Sequence, residues 1–202
     1  RISVIGSGAM GSGIAQVAAQ AECEVTLYDN NPDSLEVASD RLTKIFDRLV
    51  EKGRKTREEA DAILGRIELT HSLERIDDSE LVIEAIVENL DVKKQVFRKI
   101  ENLVSETCIL ATNTSSLSVT SIAAAPLMPL VEIVPAISTA PELAETLKKL
   151  MLEWGKAPAI AKDTPGFIVN RVARPFYGEA IRIYEEGIAD IPTIDWAMKT
   201  IG

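Results

Sequence analysis

Gly6-Ser7-Gly8-Ala9-Met10-Gly11 follows the apolar run Ile2-Ser3-Val4-Ile5 and leads into a helical pattern from Ala9 to Gln20. Strand, glycine turn and helix in that order form a cradle for dinucleotide phosphates. Gly6 permits a tight turn, and Gly8 lets backbone approach a pyrophosphate. Gly11 lets the helix pack closely on the strand, and Ala9 and Met10 complete the cradle at the helix's positive end. A second apolar run, Val25 to Asp29, ends on an acid eighteen residues after Gly11. A carboxylate there accepts hydrogen bonds from an adenosine ribose and repels a 2′-phosphate. Asn30 and Asn31 follow it rather than arginine, which favours NAD over NADP. The plain alternative is a glycine turn that holds no cofactor.

Other residues are candidates only. Thr112-Asn113-Thr114-Ser115-Ser116 follows an apolar run at the end where open parallel sheets bind ligands, yet also reads as an ordinary polar loop. Glu132 interrupts Leu130-Val131-Glu132-Ile133-Val134, so its carboxylate must be paired, functional, or turned to solvent on an edge strand. His71, the only histidine, has no acidic or nucleophilic pattern beside it and reads as a loop residue. The charged run Glu51 to Glu59 reads as the solvated tip of a helical hairpin.

The elements that must position these residues alternate between short apolar runs and longer helical patterns, the signature of a parallel sheet with crossover helices. Strands are expected at Ile2–Ile5, Val25–Asp29, Ile67–Thr70, Leu81–Ile86, Cys108–Thr112, Leu130–Val134 and Ala157–Ala161. Helices are expected at Ala9–Gln20, Pro32–Lys52, Leu90–Val104 and Pro141–Trp154. Segment 32–65 is too long for one crossover. Gly53 and a capping box at Thr56-Arg57-Glu58-Glu59 break it into an antiparallel pair. After Asp163 the strand rhythm stops: Phe167–Glu186 and Pro192–Ile201 read as helices. The fold class is α/β, a Rossmann-like doubly wound parallel sheet with a helical hairpin insertion, followed by the start of an all-α domain. Residues 1–163 form the nucleotide-binding part. Residues 164–202 begin a helical domain too short to build a core alone and expected to be incomplete.

Composition bounds the rest. With 22 basic residues against 31 acidic ones, the net charge of −9 argues against nucleic acid as a partner. The most apolar stretch, Ile122 to Ile137, is broken by Pro126, Pro129, Pro135 and Glu132, and a membrane helix needs about 20 mostly apolar residues. Cys23 and Cys108 match neither a disulfide framework nor a metal site, and no leader is visible. A cytoplasmic location with no membrane partner is expected.

Taken together, Gly6–Gly11 with Ile14-Ala15-Gln16-Val17-Ala18, Leu81–Glu88, Thr112–Ser116 and Asp163-Thr164-Pro165-Gly166-Phe167-Ile168-Val169-Asn170-Arg171 resemble the L-3-hydroxyacyl-CoA dehydrogenase family. Run Asn170–Tyr177 resembles its bacterial 3-hydroxybutyryl-CoA and 3-hydroxyadipyl-CoA branch. The resemblance implies oxidation of the 3-hydroxyl of an acyl-CoA with hydride passing to NAD. It implies that Ser115 contacts the substrate oxygen, that Glu132 orients the catalytic histidine, and that Asn170 is a further polar contact. Glu88 and Lys93 match residues near the nicotinamide ribose, Asn113 another cofactor contact, and Lys52, with Arg54 beside it, the region that meets the CoA tail. It also implies a homodimer through the helical domain and no metal.

One departure stands out. Between the equivalents of Ala125 and Pro126 the family carries a segment with a His-Phe-Phe-Asn-Pro motif, whose histidine is the general base; here Ala125 runs straight into Pro126. Either the natural protein has this segment and the present chain lacks it, or a deletion has left a base-deficient nucleotide-binding or regulatory module. A related dehydrogenase acting on a non-CoA hydroxy acid is the remaining alternative.

Overall fold

The computed structural model describes residues 1–113 and 129–201. The element order is β1 (Ile2–Ile5), α1 (Ala9–Gln20), β2 (Val25–Tyr28), α2 (Pro32–Glu51), α3 (Arg57–Gly65), β3 (Ile67–Thr70), β4 (Leu81–Glu84), α4 (Leu90–Glu101), β5 (Ile109–Thr112), β6 (Leu130–Ile133), α5 (Pro141–Glu153), β7 (Ala157–Ile160), α6 (Val169–Glu185) and α7 (Ile191–Ile201). Five strands form one parallel sheet in the order β3-β2-β1-β4-β5. The chain therefore winds outward from β1 through β2 to β3, then returns to the other side of β1 for β4 and β5. The switch point lies between β1 and β4, where open parallel sheets leave a crevice at their carboxyl ends.

The sequence explains the layers. β1 is buried along its whole length, and β4 nearly so, as strands covered on both faces must be. The α2 residues Leu35, Ala38, Leu42 and Phe46 recur at helical spacing and form its buried face. Asn31 caps α2 by accepting from the Asp33 amide, with Pro32 at the first helical position. The helical hairpin is present with the expected box: the Glu59 amide donates to Thr56 Oγ1 at 3.1 Å, and the Thr56 amide to Glu59 Oε2 at 2.8 Å. Arg57 ties α3 to α2 through Asp47 at 2.8 Å.

Some details depart from expectation. Leu73–Ile76 forms a 3₁₀ turn that the periodicity did not show, and its Ile76 packs in the core with Ile5, Val82 and Ile100. Strand β4 stops at Glu84 rather than Ile86. Helix α6 starts at Val169 rather than Phe167, because Gly166 (φ +83°) and Phe167 (φ +44°) take left-handed backbone. Strands β6 and β7 form a separate two-stranded sheet. Ala157 and Ala161 donate to the carbonyls of Pro129 and Ile133, so these two strands run in the same direction. By its contacts the chain divides into two compact units, residues 1–131 with 149–158, and residues 132–148 with 159–202.

Helix α1 packs closely on the turn that follows β1. A Cβ on Gly11 would overlap the Gly6 carbonyl oxygen, whereas one on Gly8 would have nothing within 4 Å. Gly11→Ala must push the helix off its strand and should cost about 3 kcal/mol. Gly8→Ala, at φ −58°, should change stability by less than about 1 kcal/mol. Urea unfolding of both variants checks the contrast; equal midpoints would refute it.

Candidate functional site

The glycine turn sits at the switch point. Gly6 adopts φ +104°, and a Cβ there would stand 2.7 Å from the Ala85 carbonyl oxygen, so the turn lies directly on the chain leaving β4. Its amide donates to the Tyr28 carbonyl at 2.7 Å, which aligns it with the end of β2. Helix α1 then opens at Ala9 and Met10 with no side-chain cap at Gly8 and no acid in its first turn. The helix thus brings no acid of its own to that positive end. Gly8 is exposed and its missing side chain answers no packing demand, which is what close approach of a pyrophosphate requires. The residues fit a dinucleotide.

Asp29 follows β2 and is already oriented. Its Oδ2 accepts from the Ser7 amide at 2.8 Å and the Ser7 hydroxyl at 2.9 Å, and its Oδ1 accepts from the Asn31 amide at 3.0 Å. A carboxylate offers about four lone-pair sites, so Oδ1 keeps one for a ribose hydroxyl. Ser7 is 2% exposed and joins the Asp29 carboxylate to the glycine turn. Sequence reasoning passed over it as a variable position of the glycine motif. Burial pushes the neighbouring Tyr28 phenol up, and the Asp29 carboxylate adds to the effect.

On the other flank, Glu88 is exposed just after β4, and Asn89 caps α4 by accepting from the Asp91 and Val92 amides. Lys93, in the first turn of α4, is buried: its Nζ lies 2.8 Å from both Glu84 carboxylate oxygens and 3.3 Å from Glu88 Oε2. Glu84 was not among the expected site residues, although an acid closing Leu81-Val82-Ile83 is the same signal that singled out Glu132. The Asn113 amide donates to the Glu84 carbonyl at 2.6 Å, placing Asn113 beside the same strand end. Lys52 is the exposed C-cap of α2. Burial raises the thiols of Cys23 and Cys108, so neither is an activated nucleophile.

In the second unit, Glu132 proves to be paired. Its Oε1 accepts from the Ile168 amide at 2.6 Å, and both oxygens lie 3.4 Å from the Val169 amide, so the carboxylate caps the start of α6. Asn170 is the second residue of that helix. Ser115 and the Ala125–Pro126 junction lie outside the described residues. No described helix is long and apolar enough to cross a membrane.

Asp29→Ala should raise the NADH dissociation constant at least tenfold, a charged hydrogen bond being worth about 1.5–3 kcal/mol, and should narrow the gap between NADH and NADPH. Ser7→Ala should act in the same direction and less. Fluorescence titration with both dinucleotides is the check, and equal affinities of the unaltered chain for the two would sink the assignment.

Comparison with known proteins adds a family. Residues 1–164 match the model described as 3-hydroxyacyl-CoA dehydrogenase, NAD binding domain, and residues 166–202 match 3-hydroxyacyl-CoA dehydrogenase, C-terminal domain. A 3-hydroxyadipyl-CoA dehydrogenase of Escherichia coli K12 is 41% identical over 98% of this chain, which spans 45% of that protein. A probable 3-hydroxybutyryl-CoA dehydrogenase of Bacillus subtilis is 39% identical over 98% of this chain and 75% of its own length. The crystal structure of (S)-3-hydroxybutyryl-CoA dehydrogenase from Ralstonia eutropha superposes with a TM-score of 0.89 at 32% identity, over 98% of this chain and 76% of that one. The alignment with the E. coli relative runs over 214 positions, so at least twelve of them fall opposite gaps in these 202 residues. With both of these models matched, over residues 1–164 and 166–202, the chain belongs to the 3-hydroxyacyl-CoA dehydrogenase family.

Proposed function

We propose that the protein oxidises the 3-hydroxyl of an L-3-hydroxyacyl-CoA to the 3-ketoacyl-CoA. The observation that carries this reading is the Asp29 carboxylate set beside an uncapped glycine turn, in a chain of this family. When bound, NAD supplies the hydride acceptor. The glycine turn and α1 hold its phosphates, Asp29 its adenosine ribose, and Glu88, Lys93 and Asn113 lie on the flank proposed for its nicotinamide end. Lys52 supports contact with the CoA tail from the tip of the hairpin. Ser115 and Asn170 are proposed substrate contacts, and Glu132 the acid that orients a general base.

The finer assignments belong to the same proposal. Residues 1–163 serve as the nucleotide-binding domain and residues 164–202 open a helical domain through which the protein pairs with a second copy. Exposed Val172, Tyr177, Ile181, Tyr184 and Trp196 on α6 and α7 support a partner for those helices. A cytoplasmic location, with no membrane or nucleic-acid partner, completes it.

The second reading, a base-deficient nucleotide-binding module, is favoured by the absence of a His-Phe-Phe-Asn-Pro segment between Ala125 and Pro126. One experiment separates the two. The 202-residue chain should bind NADH and not reduce acetoacetyl-CoA, since loss of a general base typically costs about 10²–10⁴-fold. A chain carrying the family's segment at that junction and its full helical domain should reduce acetoacetyl-CoA and ignore free acetoacetate. If that completed chain reduces neither, the module reading stands. If it prefers acetoacetate, the substrate is a non-CoA hydroxy acid.

A further inference from the structure

One buried charge has no part in the reading above. Glu84 is wholly excluded from solvent at the end of β4, and its carboxylate is saturated. Oε1 accepts from the Ile86 amide at 2.7 Å and from Lys93 Nζ at 2.8 Å; Oε2 accepts from the same Nζ at 2.8 Å and from the Thr112 hydroxyl at 2.6 Å. These donors come from three pieces of chain: the loop after β4, the first turn of α4 and the last residue of β5.

Stability alone does not account for this arrangement. Each buried ion loses several kcal/mol of hydration, and apolar residues of similar volume often fold as well or better. The first turn of a helix is also its unfavourable end for a cation. The location is informative instead. The strand order places Asp29, after β2, on one side of the glycine turn, and the ends of β4 and β5 on the other. A dinucleotide with its adenosine ribose at Asp29 and its phosphates on the turn must extend its second nucleoside over β4 and β5.

We propose that Glu84 is a positioning residue for the nicotinamide half of the dinucleotide. It sets the Lys93 ammonium 3.3 Å from Glu88 Oε2, and fixes Thr112 directly before Asn113, so that both edges of that half-site are in place before the ligand arrives. The proposal rests on the dinucleotide reading and deepens it.

The test compares NADH with ADP, which carries the adenosine and phosphates only. Calorimetric titration of both is made on the unaltered chain, Glu84→Gln, Glu84→Asp and Asp29→Ala. Glu84→Gln should weaken NADH at least tenfold and leave ADP within twofold. Glu84→Asp keeps the charge but draws it back by one methylene; it should fall between Gln and the unaltered chain for NADH, again with ADP unchanged. It carries the test if the Gln variant does not fold. A purely structural role would be restored by the retained charge, or would weaken both ligands in step. NADH affinity within twofold in the folded Glu84 variants, or parallel losses of NADH and ADP, overturns the proposal while the dinucleotide site stands. Absence of NADH binding by the unaltered chain, or ADP binding indifferent to Asp29→Ala, removes the site itself and the proposal with it.

Discussion

The distance between α1 and β1 is set by two atoms that are not there. With no Cβ on Gly11, the helix settles against the Gly6 carbonyl, and with none on Gly6, the turn settles against the Ala85 carbonyl. Both contacts are with backbone, which cannot swing aside as a side chain can. The turn is therefore clamped between its own helix and the chain leaving β4. The free amides of α1, the Asp29 carboxylate and the Glu84 cluster inherit their spacing from that clamp. The rest of the sheet transmits it: Gly6 bonds to the end of β2, and the Ala85 amide bonds to the Ile5 carbonyl at 2.8 Å.

Two different solutions to burying an acid flank this turn. Asp29 is half-buried and takes its three partners from neutral donors. Glu84 is fully buried and is neutralised by an ammonium. The first suits the proposed role of Asp29, discrimination against a phosphate by charge. The second suits a group whose field should stay local, since a compensated pair acts at a distance as a dipole, whose field falls off faster than that of a single charge. Glu132 is a third solution, spending both oxygens on the amides that open α6.

Much of this was legible in the sequence because it is local. Strand and helix runs, the Thr56 box and the Gly6–Gly11 turn each depend on residues a few positions apart, and all were found within one to three residues at their ends. What escaped reading was set at long range. Nothing near Ser7 announces that its hydroxyl will meet an acid twenty-two residues on. The 3₁₀ turn Leu73–Ile76 is too short for a periodic signal and exists because Ile76 fills the core. The split of β6 and β7 into their own sheet is a matter of pairing, which apolar runs do not encode. The acid at Glu84 was visible in an apolar strand, but its partners came from two elements beyond it.

The Ser7–Asp29 pairing also constrains how such a protein can change over generations. With Asp29 in its proposed role, a drift toward phosphorylated dinucleotides would have to discard the acid, and a neutral residue in its place leaves the Ser7 amide, the Ser7 hydroxyl and the Asn31 amide without that acceptor. Orphaned donors in a half-closed site are costly, so the first step on that path loses the old ligand and disturbs the turn before any new ligand is gained. Two of those donors are main-chain amides that stay whatever side chains stand at positions 7 and 31, so a change at position 29 has to bring them another acceptor, from a new ligand or from water.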